Sequence, residues 1–246
     1  MERCAALVLA AGRGTRMRSP LPKVLVPLRG RPVIRHLLDS LEAAGIDEIA
    51  VVVGHRAPEL MDALGPRYRY ALQAPQLGMA HAVECARPLL EGRCETLVVT
   101  VGDSPLLRVG TIRRLLGRHR ESGAACSFLT ARYPAPPPPY ARVLRAPDGR
   151  VLRCVEERDC TPEERLVDEV LTSHYTFSAA ALWPRLGAIR PHPVTAERYL
   201  TDITRAFEAE GLPMEALPVA DAEELTGLNT LDDVALAERW LDAHGA

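Results

Sequence analysis

The sequence predicts an α/β fold: a three-layer sandwich with a mixed, mostly parallel sheet and a small β-rich insertion. Three observations carry this expectation. Short apolar runs alternate with segments of helical spacing through the first half of the chain. The first of those runs empties into a glycine turn, and the second half holds a hairpin signal behind a proline-rich stretch. A repeating strand–helix–strand series lays parallel strands side by side and puts helices on both faces.

Residues 4–10 are apolar and stop at Gly12, as a buried parallel strand does. Over 32–44 the apolar positions Val33, Ile34, Leu37, Leu38 and Leu41 follow helical spacing, with Pro32 suited to the first turn and Gly45 to the stop. Residues 49–53 read as the next buried strand, 58–64 as a short helix, 68–73 as a strand and 78–90 as another helix. A strand over 96–101 ends on Gly102-Asp103, and 109–120 is helical. After Cys126 the pattern changes. Five prolines within 134–139 make a stiff loop. Segments 141–146 and 151–156 flank Pro147-Asp148-Gly149, a hairpin turn. A further strand covers 170–177, and helices are expected over 179–189, 196–209 and 230–243. The second half is expected to lie beside the first sheet as an insertion and to form the far wall of a cleft.

With 246 residues, 47% hydrophobic and 25% charged, the chain has an ordinary globular composition. A formal net charge of −2 supplies no electrostatic reason to bind nucleic acid or a membrane surface. No apolar run approaches the ~20 residues that span a bilayer, and the first strand begins too early for a signal peptide. The six cysteines lack CxxC or other close metal spacing and read as reduced thiols. A cytoplasmic location is expected.

Of the 30 basic residues 29 are arginine, and the single lysine, Lys23, follows the glycine turn. A chain that elsewhere writes every positive charge as arginine uses lysine where a compact ammonium on a flexible stem is needed. The setting is Leu9-Ala10-Ala11-Gly12-Arg13-Gly14-Thr15-Arg16-Met17, then Ser19-Pro20-Leu21-Pro22-Lys23. Glycines after a strand let backbone N–H groups approach a phosphate. Met17 stands where a dinucleotide-binding GxGxxG needs glycine or alanine, and no Lys-Ser/Thr follows as in a Walker loop. His55 and His81 belong to no triad or multi-ligand zinc motif and read as structural, so hydrolase and zinc chemistry are not expected.

The string LAAGRGTRMRSPLPKVL resembles the opening of sugar-1-phosphate nucleotidylyltransferases, and most nearly the uridylyltransferase half of the bacterial bifunctional N-acetylglucosamine-1-phosphate enzymes. Further blocks follow in order: Leu72-Gln73 to Gly78, Gly102-Asp103-Ser104-Pro105-Leu106, Tyr140-Ala141-Arg142, Val155-Glu156, Tyr199-Leu200-Thr201-Asp202 and Gly227-Leu228-Asn229. The resemblance implies a Rossmann-like, GT-A type fold in one domain over 1–246. Residues 1–130 would be the nucleotide-binding half, 131–229 the sugar-binding insertion and sheet completion, and 230–246 a closing helix. The sequence ends where that family's left-handed β-helical acetyltransferase domain begins. A trimer is therefore not implied, and a homodimer stays open.

The implied reaction joins a nucleoside triphosphate, UTP by preference, to a sugar-1-phosphate and releases pyrophosphate. The nucleophile is already an anion, so positioning and charge neutralisation carry the catalysis, with Mg2+ as cofactor. By resemblance Arg16 and Lys23 are catalytic, and Leu9, Ala10, Ala11, Gly12, Gly14, Thr15, Gln73, Gly78 and Gly102 bind the nucleotide. Asp103 and Asn229 are the metal ligands; Ala141, Glu156 and Thr172 lie on the sugar side. Taken singly, Asp103 also fits a helix cap, Asn229 a helix start, Gln73 a surface glutamine, and Glu156 a solvated charge run with Glu157 and Arg158. Three positions depart from the pattern: Met79 replaces threonine, Ala141 glycine and Leu171 asparagine, which bears against N-acetylglucosamine as the sugar. The other readings are a cytidylyl- or thymidylyltransferase for another phosphorylated small molecule, and a non-catalytic sensor of nucleotide-sugars.

Overall fold

The computed structural model describes residues 3–134 and 136–244, so one residue of the proline loop, 135, lies outside the description. In chain order the strands are β1 (Cys4–Leu9), β2 (Pro27–Leu28), β3 (Arg31–Pro32), β4 (Glu48–Val53), β5 (Arg69–Leu72), β6 (Thr96–Val101), β7 (Cys126–Arg132), β8 (Ala141–Arg145), β9 (Val151–Val155), β10 (Glu169–Ser178) and β11 (Met214–Pro218). The helices are α1 (Val33–Ala43), α2 (Ala57–Leu64), α3 (Met79–Cys85), α4 (Arg87–Leu90), α5 (Val109–Ser122), α6 (Ala179–Leu186), α7 (Ile203–Ala209) and α8 (Leu231–His244).

The main sheet runs β11-β7-β10-β6-β1-β4-β5. Neighbours are parallel except at β10, which is antiparallel to β6 and to β7. This is the expected mixed, mostly parallel sheet. Alternation along each strand feeds two cores. Ala5 and Leu7 of β1 join Val52, Val99 and Phe128 under α3, α6 and α7. Ala6 and Val8 join Val51, Val98 and Leu129 under α1, α2 and α5. A third cluster sets α8, through Val234, Ala237, Trp240 and Leu241, against Met17, Val26 and Leu28. No helix among the described residues is long and apolar enough to cross a membrane.

Four expectations change. The helix expected over 78–90 is two, α3 and α4, divided at Ala86 because Pro88 has no N–H for the ladder. The helix expected from residue 196 starts only at Ile203, after a 3-10 turn over Leu200–Asp202; Ala196 lies at φ 57° in a loop. Strands β7 and β11 were not expected at all. With β10 they carry the second half into the main sheet, and only the β8–β9 hairpin branches from it.

Candidate active site

The glycine turn lies between β1 and β2. Gly14, at φ 59°, opens a single 3-10 turn, Thr15–Met17. A Cβ there would fall 2.4 Å from the Cβ of Lys23. Only glycine lets the turn fold flat onto the lysine stem. Met17 is buried and pins the turn to the α8 cluster.

Four polar side chains meet at this turn. Lys23 Nζ donates to Asp103 Oδ2 and, at 3.0 Å, to Asn229 Oδ1. An Arg16 guanidinium N–H reaches the same Oδ1 at 3.0 Å. Asn229 Nδ2 donates to the Gly227 carbonyl at 2.9 Å; a carbonyl only accepts, so the amide orientation is set and Oδ1 faces the cations. The main chain of Asp103 holds this segment in place by accepting from Leu228 N at 2.8 Å. Asp233 Oδ2 accepts from Asn229 N and Thr230 N, and Asp233 N donates to Thr230 Oγ1, a reciprocal cap that starts α8. Asn229 is thus a helix start and a member of the charged group at once.

Asp103 Oδ1 is buried and has no partner. Among the described residues no three of His, Cys, Asp and Glu gather as a metal cluster. One carboxylate and one amide oxygen suit a magnesium ion, which prefers hard oxygens and keeps water and substrate ligands. The orphaned Oδ1 fits the same conclusion, since a buried carboxylate oxygen without a donor is costly.

A cavity of about 440 Å3 opens beside these groups, at the carboxyl ends of β1 and β6, the usual ligand position in such sheets. Leu9, Ala10, Ala11 and Gly12 line it with Lys23 and Asp103, and Gln73, Gly78 and Glu156 line the same cavity. Gln73 is buried; its Nε2 donates to the Gly78 carbonyl at 2.9 Å and approaches His81 Nδ1 at 3.3 Å. His81 is therefore structural, a buttress for Gln73. Gly78, at φ 92°, presses on the Arg198 backbone, where a Cβ would meet the carbonyl oxygen at 2.6 Å. A larger groove of about 670 Å3 lies at the opposite ends of the strands, near Thr96 and Trp183. It contains none of the residues just described, so the smaller cavity is the candidate site.

Several expected residues sit elsewhere. Gly102 is buried behind the wall, against Ala10 and Ile34. Thr15 is exposed on the turn, and Gly14 acts through Lys23. Ala141 and Leu171 are cross-strand partners within the apolar core and do not line the cavity. Thr172 turns into a separate space of about 150 Å3 shared with Asp103, Ser104 and Asn229, its Oγ1 buried and unpartnered. The cause is a bulge between Leu171 and Tyr175, where Ser173 adopts φ 65° and lines both spaces. Gln76, Tyr175, Glu197, Tyr199 and Thr201 also line the main cavity and were not singled out. Gln76 was findable by rarity: the chain has two glutamines, 73 and 76, one asparagine and one lysine, and all four belong to this site.

Burial raises the Glu156 carboxyl, opposed by a 2.7 Å hydrogen bond from Thr201 Oγ1 and reinforced by Asp202 and Asp159. Burial also raises Asp202, and Tyr140, next to Asp103 and Asp233. Beneath the site His174 is fully buried and pushed down to about 4, hence neutral, with Nδ1 2.7 Å from Thr100 Oγ1.

The MobA-like NTP transferase domain model matches residues 6–217. The bifunctional protein GlmU of Pelotomaculum thermopropionicum is 43% identical over 237 residues, 96% of this chain and 52% of that protein. GlmU of Enterococcus faecalis is 41% identical over 237 residues, covering 96% and 51%. The chain thus spans about half the length of the curated relatives it matches. A nucleotidyl transferase from Methanothermobacter thermautotroptrophicus has the same fold, with a TM-score of 0.66 at 20% identity over 98% of this chain and 99% of that one. With the family match running from β1 to β11 and taking in Arg16, Lys23, Gln73, Asp103 and Glu156, the chain belongs to the MobA-like NTP transferase domain family and is, at that level, a nucleotidyltransferase.

Proposed function

We propose that the chain transfers a uridylyl group from UTP to a sugar-1-phosphate, releasing pyrophosphate, with magnesium as cofactor. One observation carries this reading: Arg16, the lone Lys23, Asp103 and the lone Asn229 converge beside a cavity that Lys23 and Asp103 line together with Gln73 and Glu156. Binding alone has no need of so many charge-neutralising groups around one carboxylate, which favours catalysis over a sensor.

In the reaction a phosphate oxygen of the sugar-1-phosphate attacks the α-phosphorus, and the bond from that phosphorus to the bridging oxygen breaks, releasing pyrophosphate. The attacking oxygen carries no proton at neutral pH, so no residue serves as general base. Lys23 and Arg16 neutralise the triphosphate and the charge that builds on the leaving oxygens. Asp103 and Asn229 would hold magnesium, which when bound supplies further neutralisation of the phosphates. Glu156 accepts a hydroxyl from the sugar. Gln73 has its amide nitrogen on Gly78, so a base meets its Oε1, an acceptor that suits the N3–H of uracil or thymine and repels the N3 lone pair of cytosine.

The test is a pyrophosphate-release screen crossing UTP, dTTP, CTP, ATP and GTP with glucose-, galactose- and N-acetylglucosamine-1-phosphates in magnesium. Release with UTP and one sugar phosphate is expected. Turnover with CTP alone, or tight nucleotide-sugar binding without release from any pair, would overturn the proposal.

A further inference from the structure

Lys23 stands where a metal would stand. Its ammonium contacts Asp103 Oδ2 and lies 3.0 Å from Asn229 Oδ1, the two side chains proposed to hold magnesium. The side chains of the ion pair are 17% and 15% exposed, so solvent screens them poorly. The stem is pinned as well: a Cβ at Gly14 would fall 2.4, 3.3 and 3.4 Å from Lys23 Cβ, Cγ and Cδ, which leaves the end of the side chain to turn. Asp103 Oδ1 stays buried and unpartnered even so. One ammonium therefore blocks both oxygens without satisfying the carboxylate. A metal ion arriving alone has to eject that ammonium and leave it without a counter-charge, whereas a triphosphate supplies one.

We propose that Lys23 is a resident counter-cation that keeps metal off Asp103 and Asn229 until a polyphosphate draws the ammonium away, making metal entry and triphosphate binding one coupled event. The proposal rests on the transfer reading above and adds an order of assembly to it. Coupling between two ligands is reciprocal, so each raises the other's affinity by the same factor. The expected sign is unusual: removing the lysine weakens triphosphate binding but strengthens binding of the metal alone.

The test titrates Mn2+ into the full chain, with and without α,β-methylene-UTP, and reads protein-bound Mn2+ as the loss of the free-ion paramagnetic resonance signal beyond that caused by the analogue alone. The wild-type chain should bind Mn2+ about tenfold or more tightly when the analogue is present. Lys23→Met and Lys23→Gln should bind Mn2+ alone about tenfold more tightly than wild type and gain little from the analogue. Both keep methylenes under Gly14, and their thermal midpoints check the fold. Arg16→Met removes an equal charge from Asn229 but not from Asp103, and should have the smaller effect; an equal one overturns the proposal in favour of simple repulsion. Lys23 variants that bind Mn2+ no more tightly than wild type, while Asp103→Asn still abolishes binding, overturn the proposal and leave the transfer reading standing. Mn2+ binding that ignores Asp103→Asn with the analogue present overturns both.

Discussion

Ala141 and Leu171 face each other in register across β8 and β10, inside one apolar core. In the pattern this chain resembles, the same places hold glycine and asparagine; here both carry apolar side chains and neither lines the cavity. Leu171→Asn is expected to bury an amide without partners and cost about 3 kcal/mol or more. Thermal denaturation measures this. A variant with the wild-type midpoint and a new sugar preference would show that position 171 opens into the site after all.

Gly14→Ala tests the turn. The added methyl collides with the Lys23 stem, and the backbone there is left-handed, which costs alanine roughly 1–2 kcal/mol. The expected result is a modest fall in thermal midpoint with a much larger fall in kcat, because the displaced group is the lysine.

Glu156 gives a pH signature. Its folded-state pKa lies above the ordinary value of 4.5, chiefly through burial. Its stabilising contribution is therefore full below that value and lost as pH rises through the folded pKa. Glu156→Gln should raise the midpoint at pH 7 and leave it unchanged at pH 4. In kinetics, the wild-type KM for the sugar phosphate should climb as falling pH protonates the carboxylate, and the glutamine variant should flatten that profile.

Gln73→Leu removes the acceptor proposed to face the base. A rise in KM for UTP of about ten- to a hundredfold is expected, with a smaller change in kcat and a narrower preference for UTP over CTP. Unchanged discrimination would mean that the base is read elsewhere.

Ser173 occupies a left-handed conformation at the β10 bulge. Ser173→Gly should stabilise the fold by about 1 kcal/mol by removing the Cβ strain. Chemical denaturation provides the measurement.

What was legible in the sequence follows from how local each signal is. Elements with clean apolar periods, β1, α1, β4 and β6, were readable because neighbouring residues alone set them. Strand β7 mixes Ser127 and Thr130 into its apolar run, and β11 carries Glu215 and ends on Pro218 at the sheet edge. Their strand character comes from pairing with distant partners. In the site, Lys23, Asp103 and Asn229 were marked by motif and Lys23 also by rarity. The inward packing of Ala141 and the turning away of Thr172 depend on a bulge and a cross-strand register, neither of which is a local property.

Because Lys23 is the chain's single lysine, an amine-selective acylating reagent finds only one ε-amino target, and it lies in the proposed reaction centre. The mass added at that residue becomes a direct gauge of how much of the protein has its centre occupied. No engineered probe is needed to follow loading under working conditions.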